Sequence, residues 1–365
     1  MEPSGEDRGP RAFHLSHYHK DVIPTKERFA REAPGAHLLE ASDLPELSRY
    51  LRSKGWLAED EVVKTAAKAG EGNMNYTVRV VTPRRSIIVK QARPWVEKYP
   101  HIAAPFERGE MEIHFYQLVA GRPAVADVMP RLLGADPTSG VLVLEDLVEA
   151  SDFTTMYRGR LLADAELTSL VSYLAALHRP FPSTDRSALR NRAMRALNHE
   201  HIFRLPLVRE NGIDLEAVTA GLAGASTSLK DDERYLREVT ELGALYLADD
   251  GEALLHGDYF PGSWLQSERG VRVIDPEFCF FGPAAFDLGC MLAHLHLSGQ
   301  PPTIIGRLLP TYRELSGPLV SEKQVRQFAG VEIMRRLLGV AQLPLSCGLE
   351  KKKELLGLSR SLVLG

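Results

Sequence analysis

At 365 residues the chain is too long for one small core and fits about two domains or lobes. Its 44% hydrophobic and 25% charged contents are those of an ordinary globular protein, and a net charge of −4 argues against binding nucleic acid through bulk charge. No signal peptide and no run of the ~20 apolar residues that cross a bilayer is seen, and three cysteines without metal-type spacing suit a reducing compartment, so a cytoplasmic protein with no nucleic-acid or membrane partner is expected.

In chain order, residues 1–40 read as an irregular arm of mixed charge, with prolines at 3, 10, 24 and 34. Its HLSHYH stretch carries His14, His17 and His19 and reads as a polar His-rich patch rather than a metal site. SDLPELSRYLRSKG predicts a helix with Ser42 as N-cap, Pro45 near its start and Gly55 at its end. YTVRVV (76–81) and SIIVKQ (86–91), joined by TPRR, predict an antiparallel hairpin. ERGEMEIHFYQLV (107–119) predicts a helix with Met111, Phe115 and Leu118 on one face, and GVLVLEDL (140–147) a buried strand ending in two acids. From about residue 150 the pattern turns helical, and Leu167, Leu170, Val171, Leu174 and Leu177 form a stripe that is simply core. Beyond it, ALLHGD and VRVID are the only strong strand signals. Strands first and helices after predict an α+β chain: an arm (1–40), a small β-rich lobe (41–147) and a larger helical lobe (148–365).

Chemistry concentrates where strands end in acids. In LLHGDYFPGSWL (254–265) an apolar strand stops at Asp258, and VRVIDPEF ends in Asp275 and Glu277 around Pro276. If the two strands are adjacent, three carboxylates meet at one end of a ribbon and repel unless a hard divalent ion such as Mg²⁺ lies between them. Asp275 and Glu277, two residues apart, would point the same way along a strand. Upstream, AGEGNMN (69–75) precedes a strand, and Gly70 and Gly72 let backbone N–H groups approach phosphates; a plain turn would use them equally well. Lys90 lies in an apolar strand, where it costs stability unless paired or bound to an anion. Glu112 on the following helix would complete a Lys–Glu pair that positions nucleotide phosphates; the alternative is an edge strand that leaves Lys90 in water.

HGD followed by VIDPEF…FGPAAFDLG resembles the aminoglycoside/choline kinase-like phosphotransferases, and among them the 5-methylthioribose kinases. GEGNMN is similar to that branch's Gly-Asn-rich loop, VKQA (89–92) to its nucleotide-lysine strand, and EIMRRLLG (332–339) to its paired-arginine segment. Gly262-Ser263 puts Ser where most relatives carry a metal-binding Asn, as in those kinases. The resemblance implies a protein-kinase-like two-lobed fold, with ATP as co-substrate, Mg²⁺, and transfer of the γ-phosphate to a hydroxyl of methylthioribose or a related sugar. It makes Asp258 the residue that accepts the hydroxyl's proton, and Ser263, Asp275 and Glu277 the metal ligands. Gly70, Gly72, Asn73, Asn75, Lys90 and Glu112 would surround the nucleotide, with Glu145 to Leu147 as the adenine-binding hinge. Arg335 and Arg336 would serve the acceptor, although adjacent arginines on a helix normally point apart and one of them is then expected at the surface. Asp287, in AAFDLG, is expected to hold the catalytic loop's backbone, with a helix N-cap as its alternative. The partners implied are a nucleotide and a small-molecule acceptor, and a homodimer stays open.

Two departures bear on the acceptor. Tyr259-Phe260-Pro261 stand where those kinases carry LHT, which places Tyr259 beside the acceptor, and RPWVEKYPHIAAPFER (93–108) reads as a stiff apolar lid of its own shape. An amino sugar or amino alcohol is therefore the alternative acceptor, whereas paired arginines favour a neutral or anionic one. A catalytically dead scaffold would lack a base, a metal ligand or the lysine, and Asp258, Asp275, Glu277 and Lys90 are all present.

Overall fold

The structure, a computed structural model, describes residues 25–70, 72, 74–182, 188–248, 251–316 and 320–365. His14, His17, His19 and Asn73 lie outside the described residues.

The first half runs α1 (Thr25–Glu32), α2 (Leu44–Ser53), β1 (Thr65–Lys68), β2 (Tyr76–Val81), β3 (Ser86–Gln91), β4 (Trp95–Val96), β5 (Tyr99–Ala103), α3 (Arg108–Val119), α4 (Pro123–Ala126), β6 (Leu132–Asp136) and β7 (Val141–Glu145). The hairpin expected from the β-branched runs forms as β2–β3, in register from Tyr76↔Gln91 to Val81↔Ser86. Among the described residues the sheet is antiparallel, in the order β1-β2-β3-β7-β6. Side-chain alternation splits its two faces. Ile87, Val89, Val141 and Val143 pack towards α2, while Leu142 and Leu144 join the larger core. β3 is an interior strand, so Lys90 is buried against the helical side instead of lying exposed at an edge.

Local details differ from the expectations in instructive ways. Residues 25–32 of the arm are helical, because Phe29 finds edge-on partners in Trp95 and Phe106 at 6.1 and 6.0 Å, contacts distant in sequence. Asp43 caps α2 in place of Ser42, accepting from Glu46 N at 3.0 Å. In α3 the buried face carries Arg108, Glu112, Ile113, Phe115, Tyr116 and Val119, whereas Met111 and Leu118 are only half-buried. Two inward-facing charges with partners rotate that face away from the one hydrophobic periodicity suggests. The 93–108 segment is a ribbon whose first strand, β4, is buried and whose second, β5, is largely exposed.

The second half runs β8 (Ser151–Asp152), α5 (Asp164–Leu177), α6 (Arg192–His199), α7 (Leu215–Val218), α8 (Leu222–Lys230), α9 (Glu233–Leu247), β9 (Ala253–Leu255), β10 (Trp264–Ser267), β11 (Gly270–Val273), β12 (Phe280–Gly282), α10 (Ala285–Leu297), α11 (Pro302–Ser316), α12 (Glu322–Leu338) and α13 (Leu349–Leu364). The five stripe residues of α5 are all fully buried. β9 pairs with β12, and β11 with β10, so the two acid-bearing strands are not neighbours. The short turn after Ser267 closes β10 onto β11 at once, and a local hairpin costs less closure entropy than a distant pairing. No helix among the described residues is long and apolar enough to cross a membrane.

α10 and α12 carry side chains that meet at the site, and they cross closely. A Cβ on Gly289 would lie 2.6 Å from Phe328 Cβ and 3.0 Å from Ala329 N. Gly289→Leu should therefore overpack the crossing by about 1–3 kcal/mol and lower the thermal unfolding midpoint. An unchanged midpoint would show that the crossing tolerates the bulk.

Candidate active site

β9 ends at Leu255, and the next three residues turn sharply into the cleft. Gly257 has φ +85°, and a Cβ there would lie 2.1 Å from Phe278 O, so the turn excludes any side chain. Asp287, in the first turn of α10, accepts from His256 N at 2.7 Å and from Gly257 N at 3.0 Å, which is the loop-holding role expected of it. His256 is wholly buried; its Nε2 donates to Ile274 O at 2.9 Å and ties the Asp258 loop to the segment carrying Asp275.

Asp275 lies beyond the end of β11, at φ +63°, a left-handed conformation that Asp tolerates better than most residues. It and Glu277 consequently do not share one face of a strand. Asp275 Oδ1 is 2.9 Å from Lys90 Nζ, which also lies 2.7 Å from Glu112 Oε2. Burial works to lower the Lys90 pKa, but Asp275, Glu112 and Glu277 outweigh it and hold the ammonium above the ordinary lysine range.

Glu277 points elsewhere. Asn75 Nδ2 donates to Glu277 Oε2 at 2.8 Å, and the fully buried Arg108 donates from Nε to Asn75 Oδ1 at 3.0 Å. Burial raises the Glu277 pKa against the pull of Lys90 and Arg108. Arg108 also donates to the carbonyls of Arg93, Pro105 and Met74 at 2.7, 2.7 and 2.9 Å. One guanidinium thus joins the glycine loop, the ribbon and Glu277, and both ends of the Asn75 amide are engaged within the protein. Asn191 Nδ2 fixes the turn from behind by donating to Glu277 O and Cys279 O, both at 2.9 Å.

Gly70, at φ +71°, and Gly72 border open space. At the proposed hinge, Glu145 pairs with Arg131 and Arg269 at 3.3 and 2.8 Å, and Leu147 is half-buried. Among the described residues, no three His, Cys, Asp or Glu side chains gather as a metal cluster. The Asp275 carboxylate is 42% exposed, while Ser263 is buried with its hydroxyl donating to Asp258 O at 3.1 Å.

Both arginines of the pair are buried and both reach Asp258 Oδ1, Arg336 Nη2 at 3.2 Å and Arg335 Nη2 at 3.5 Å. Glu332 brings them together: its Oε1 lies 2.6 Å from Arg336 Nε and its Oε2 3.2 Å from Arg335 Nε. Positions three and four residues on are both neighbours of Glu332 on the helix, which overrides the tendency of adjacent residues to diverge. Burial would raise the Glu332 pKa, but the two guanidiniums and His294 reverse the shift and hold the carboxylate well below its usual range.

Tyr259 does not face the acceptor side. It is wholly buried, stacked on Tyr173 at 5.7 Å, with its hydroxyl donating to Leu170 O at 2.9 Å. Its neighbour Phe260 is half-buried instead, with Arg336 Cζ 4.6 Å from the ring centre. The roles of Arg108, Asn191, His256 and Glu332 went unread in the sequence. Only Glu332 leaves a local signal there, its spacing of three and four residues to the arginines.

Residues 65–317 match the family model described as "Phosphotransferase enzyme family". The chain belongs to that family. Among curated relatives it is similar to the methylthioribose kinase of Exiguobacterium sibiricum, 29% identical over 268 residues, which takes in 69% of this chain and 65% of the relative. It is likewise similar to the methylthioribose kinase of Cronobacter sakazakii, 26% identical across 86% of this chain and 92% of the relative. Among solved structures, a spectinomycin phosphotransferase in complex with ADP and spectinomycin matches with a TM-score of 0.51 and 14% identity, covering 90% of this chain and 100% of that one. A choline kinase from Cryptosporidium parvum matches with a TM-score of 0.51 and 13% identity, over 88% and 96%. These structural likenesses speak to fold alone: the phosphotransferase has the two-lobed, protein-kinase-like architecture.

Glu332→Ala would leave two buried guanidiniums with Asp258 as their only carboxylate partner among those described here. Breaking a buried pair in this way costs about 3–5 kcal/mol, so denaturant unfolding should show a large loss of stability. A loss below about 1 kcal/mol, the scale of an exposed pair, would mean that Glu332 is not their counter-charge.

Proposed function

We propose that this phosphotransferase is an ATP-dependent small-molecule kinase whose acceptor is a hydroxyl of methylthioribose or a related sugar. The observation that carries the reading is the pair of buried arginines converging on Asp258, together with a separate Lys90–Glu112–Asp275 cluster. Curated relatives bearing the methylthioribose kinase name support the sugar class. In this reading residues 41–147 hold the nucleotide and residues 148–365 supply the base and the acceptor site. Three cysteines that are all free thiols support a reducing, cytoplasmic setting.

The chemistry assigns one task to each group. Asp258 accepts the proton of the acceptor hydroxyl as its oxygen attacks the γ-phosphorus; the bond to the β–γ bridging oxygen breaks, and ADP leaves. Lys90, held by Glu112, offers its ammonium to the nucleotide phosphates. Arg335 and Arg336 offer planar donors to the migrating phosphoryl group and the acceptor, at the place where negative charge builds up. Glu145 to Leu147 carry the backbone groups that meet adenine.

The donor set suits Mg²⁺, which takes one or two carboxylates and completes its shell with water and phosphate. The half-exposed Asp275 carboxylate is the main candidate ligand, with Glu277 and Ser263 behind it. When bound, such an ion neutralises charge on the phosphate oxygens. A cationic amino acceptor fits the paired arginines less well than a neutral sugar does.

Asp258→Asn should lower kcat on the order of 10²–10⁴-fold with methylthioribose and Mg·ATP, leaving nucleotide affinity nearly unchanged. Near-normal turnover by that variant would remove Asp258 from the role of base. Asp275→Asn should weaken nucleotide binding in a Mg²⁺-dependent way, measured by calorimetry across Mg²⁺ concentrations. Equal affinity at every concentration would discard Asp275 as a ligand. A panel of methylthioribose, other pentoses, aminoglycosides and choline decides the acceptor class, and turnover of only the cationic members would overturn the sugar reading.

A further inference from the structure

α10 places a second buried group behind the arginine pair. His294 is wholly buried between Tyr157 and Glu332. Its Nδ1 lies 2.7 Å from Tyr157 Oη and its Nε2 lies 3.2 Å from Glu332 Oε1. A carboxylate only accepts, so Nε2 must carry a proton. Burial lowers the ring's pKa to about 4, which keeps it neutral, and Nδ1 is then free to accept from the Tyr157 hydroxyl. One tautomer satisfies both partners.

Glu332 Oε1 receives His294 on one side and Arg336 Nε, at 2.6 Å, on the other. Fixing that oxygen fixes the guanidinium's plane, and with it the direction in which Nη2 faces Asp258. Phe260 closes the remaining side, its ring 5.5 Å from that of His294 and over the Arg336 guanidinium. The Phe260 ring lies close over Gly262, where a Cβ would come within 2.5 Å of it. None of these contacts reaches Lys90, Glu112 or the glycine loop.

We propose that His294, in its Nε2–H tautomer, is a positioning residue that aims Arg336 at the acceptor through Glu332. The inference rests on the reading of Asp258 as the base beside the acceptor. A histidine that merely fills the core would affect stability alone. A positioning residue acts on one substrate and spares the other.

The test is a pair of full-length variants with both substrates titrated. His294→Phe keeps the ring and its burial but loses both nitrogens. It should raise the acceptor KM and lower kcat together, on the order of 10-fold, because small misplacements at a reacting centre cost at least that much. The nucleotide KM should not change. His294→Gln, whose amide N–H can donate where Nε2 does, should recover most of the loss. Wild-type kinetics in His294→Phe overturn the inference, as does an equal loss towards nucleotide and acceptor. So does a loss that follows a lowered thermal midpoint and is not recovered by Gln.

A second readout does not depend on activity. In the chain labelled with ¹⁵N-histidine, His294 should give a neutral Nε2–H signature at neutral pH that disappears in His294→Phe and shifts in Glu332→Gln. An Nδ1–H or a doubly protonated ring overturns the inference whatever the acceptor. If the wild-type chain phosphorylates no member of the acceptor panel, the base-and-acceptor reading fails. The tautomer signal still decides whether His294 holds Glu332.

Discussion

The two hydrogen bonds from His256 N and Gly257 N to the Asp287 carboxylate are the constraint on which the site depends. Glycine reaches φ +85° at Gly257 without strain but also many other conformations, and the two bonds to Asp287 select this one. Asp287 is wholly buried in α10, and His178 Nε2 lies 3.2 Å from its Oδ2, so the anion has donors on several sides. With the turn fixed, the strand direction of β9 decides where Asp258 emerges. The His256 ring then passes the same constraint to Ile274, one residue before Asp275. A single buried carboxylate therefore fixes the candidate base relative to the candidate metal ligand, although their strands belong to different sheets.

Around that fixed point the charges divide into two groups. In one group, Lys90 and Arg108 stand against the carboxylates of Glu112, Asp275 and Glu277, and burial raises the pKa of Glu277 and pushes that of Glu112 up to about 7. In the other, Arg335 and Arg336 balance Glu332 and Asp258. In the proposed reading, crowded carboxylates beside the glycine loop suit a divalent cation carrying phosphates, whereas balanced charge around Asp258 suits a neutral sugar. Buried pairs of this kind are weak sources of stability, since desolvation offsets much of their attraction. Their value here is geometric: each cation is held on at least two sides and cannot settle elsewhere when substrate is absent.

The parts of this arrangement legible in the sequence are those with short-range causes. β-branched alternation shows the β2–β3 hairpin, a leucine stripe shows α5, and apolar runs ending in acids point to Asp258 and Asp275. Lys90 and Glu112 can be paired in advance because an apolar strand gives a lysine few other ways to be satisfied. What stays hidden depends on contacts remote in the chain. The α3 face turns because Arg108 finds Asn75 and Glu277, the arm becomes helical at Phe29 because Trp95 and Phe106 are there, and β9 takes β12 as partner over the nearer-seeming β11. Tyr259 illustrates the same limit. Its large ring beside the candidate catalytic aspartate suggests contact with substrate, yet Tyr173 and Leu170 provide a buried place for both its ring and its hydroxyl.

The exchange between Tyr259 and Phe260 has a chemical consequence for the acceptor. With Tyr259 turned into the core, the exposed part of the loop offers an aromatic ring stacked on Arg336 in place of a hydroxyl or imidazole. A ring over a guanidinium limits its hydration and directs its donors along the plane, towards Asp258. An ammonium acceptor entering here would meet two guanidiniums whose carboxylate partners, Asp258 and Glu332, are already engaged with them, and so would find no free counter-charge. A sugar hydroxyl meets no such barrier, can donate to Asp258, and can present its other oxygens to the arginine donors. In the proposed reading, the Tyr259-Phe260-Pro261 loop changes the wall beside Asp258 and leaves its charge in place, which favours a sugar while permitting a differently shaped one.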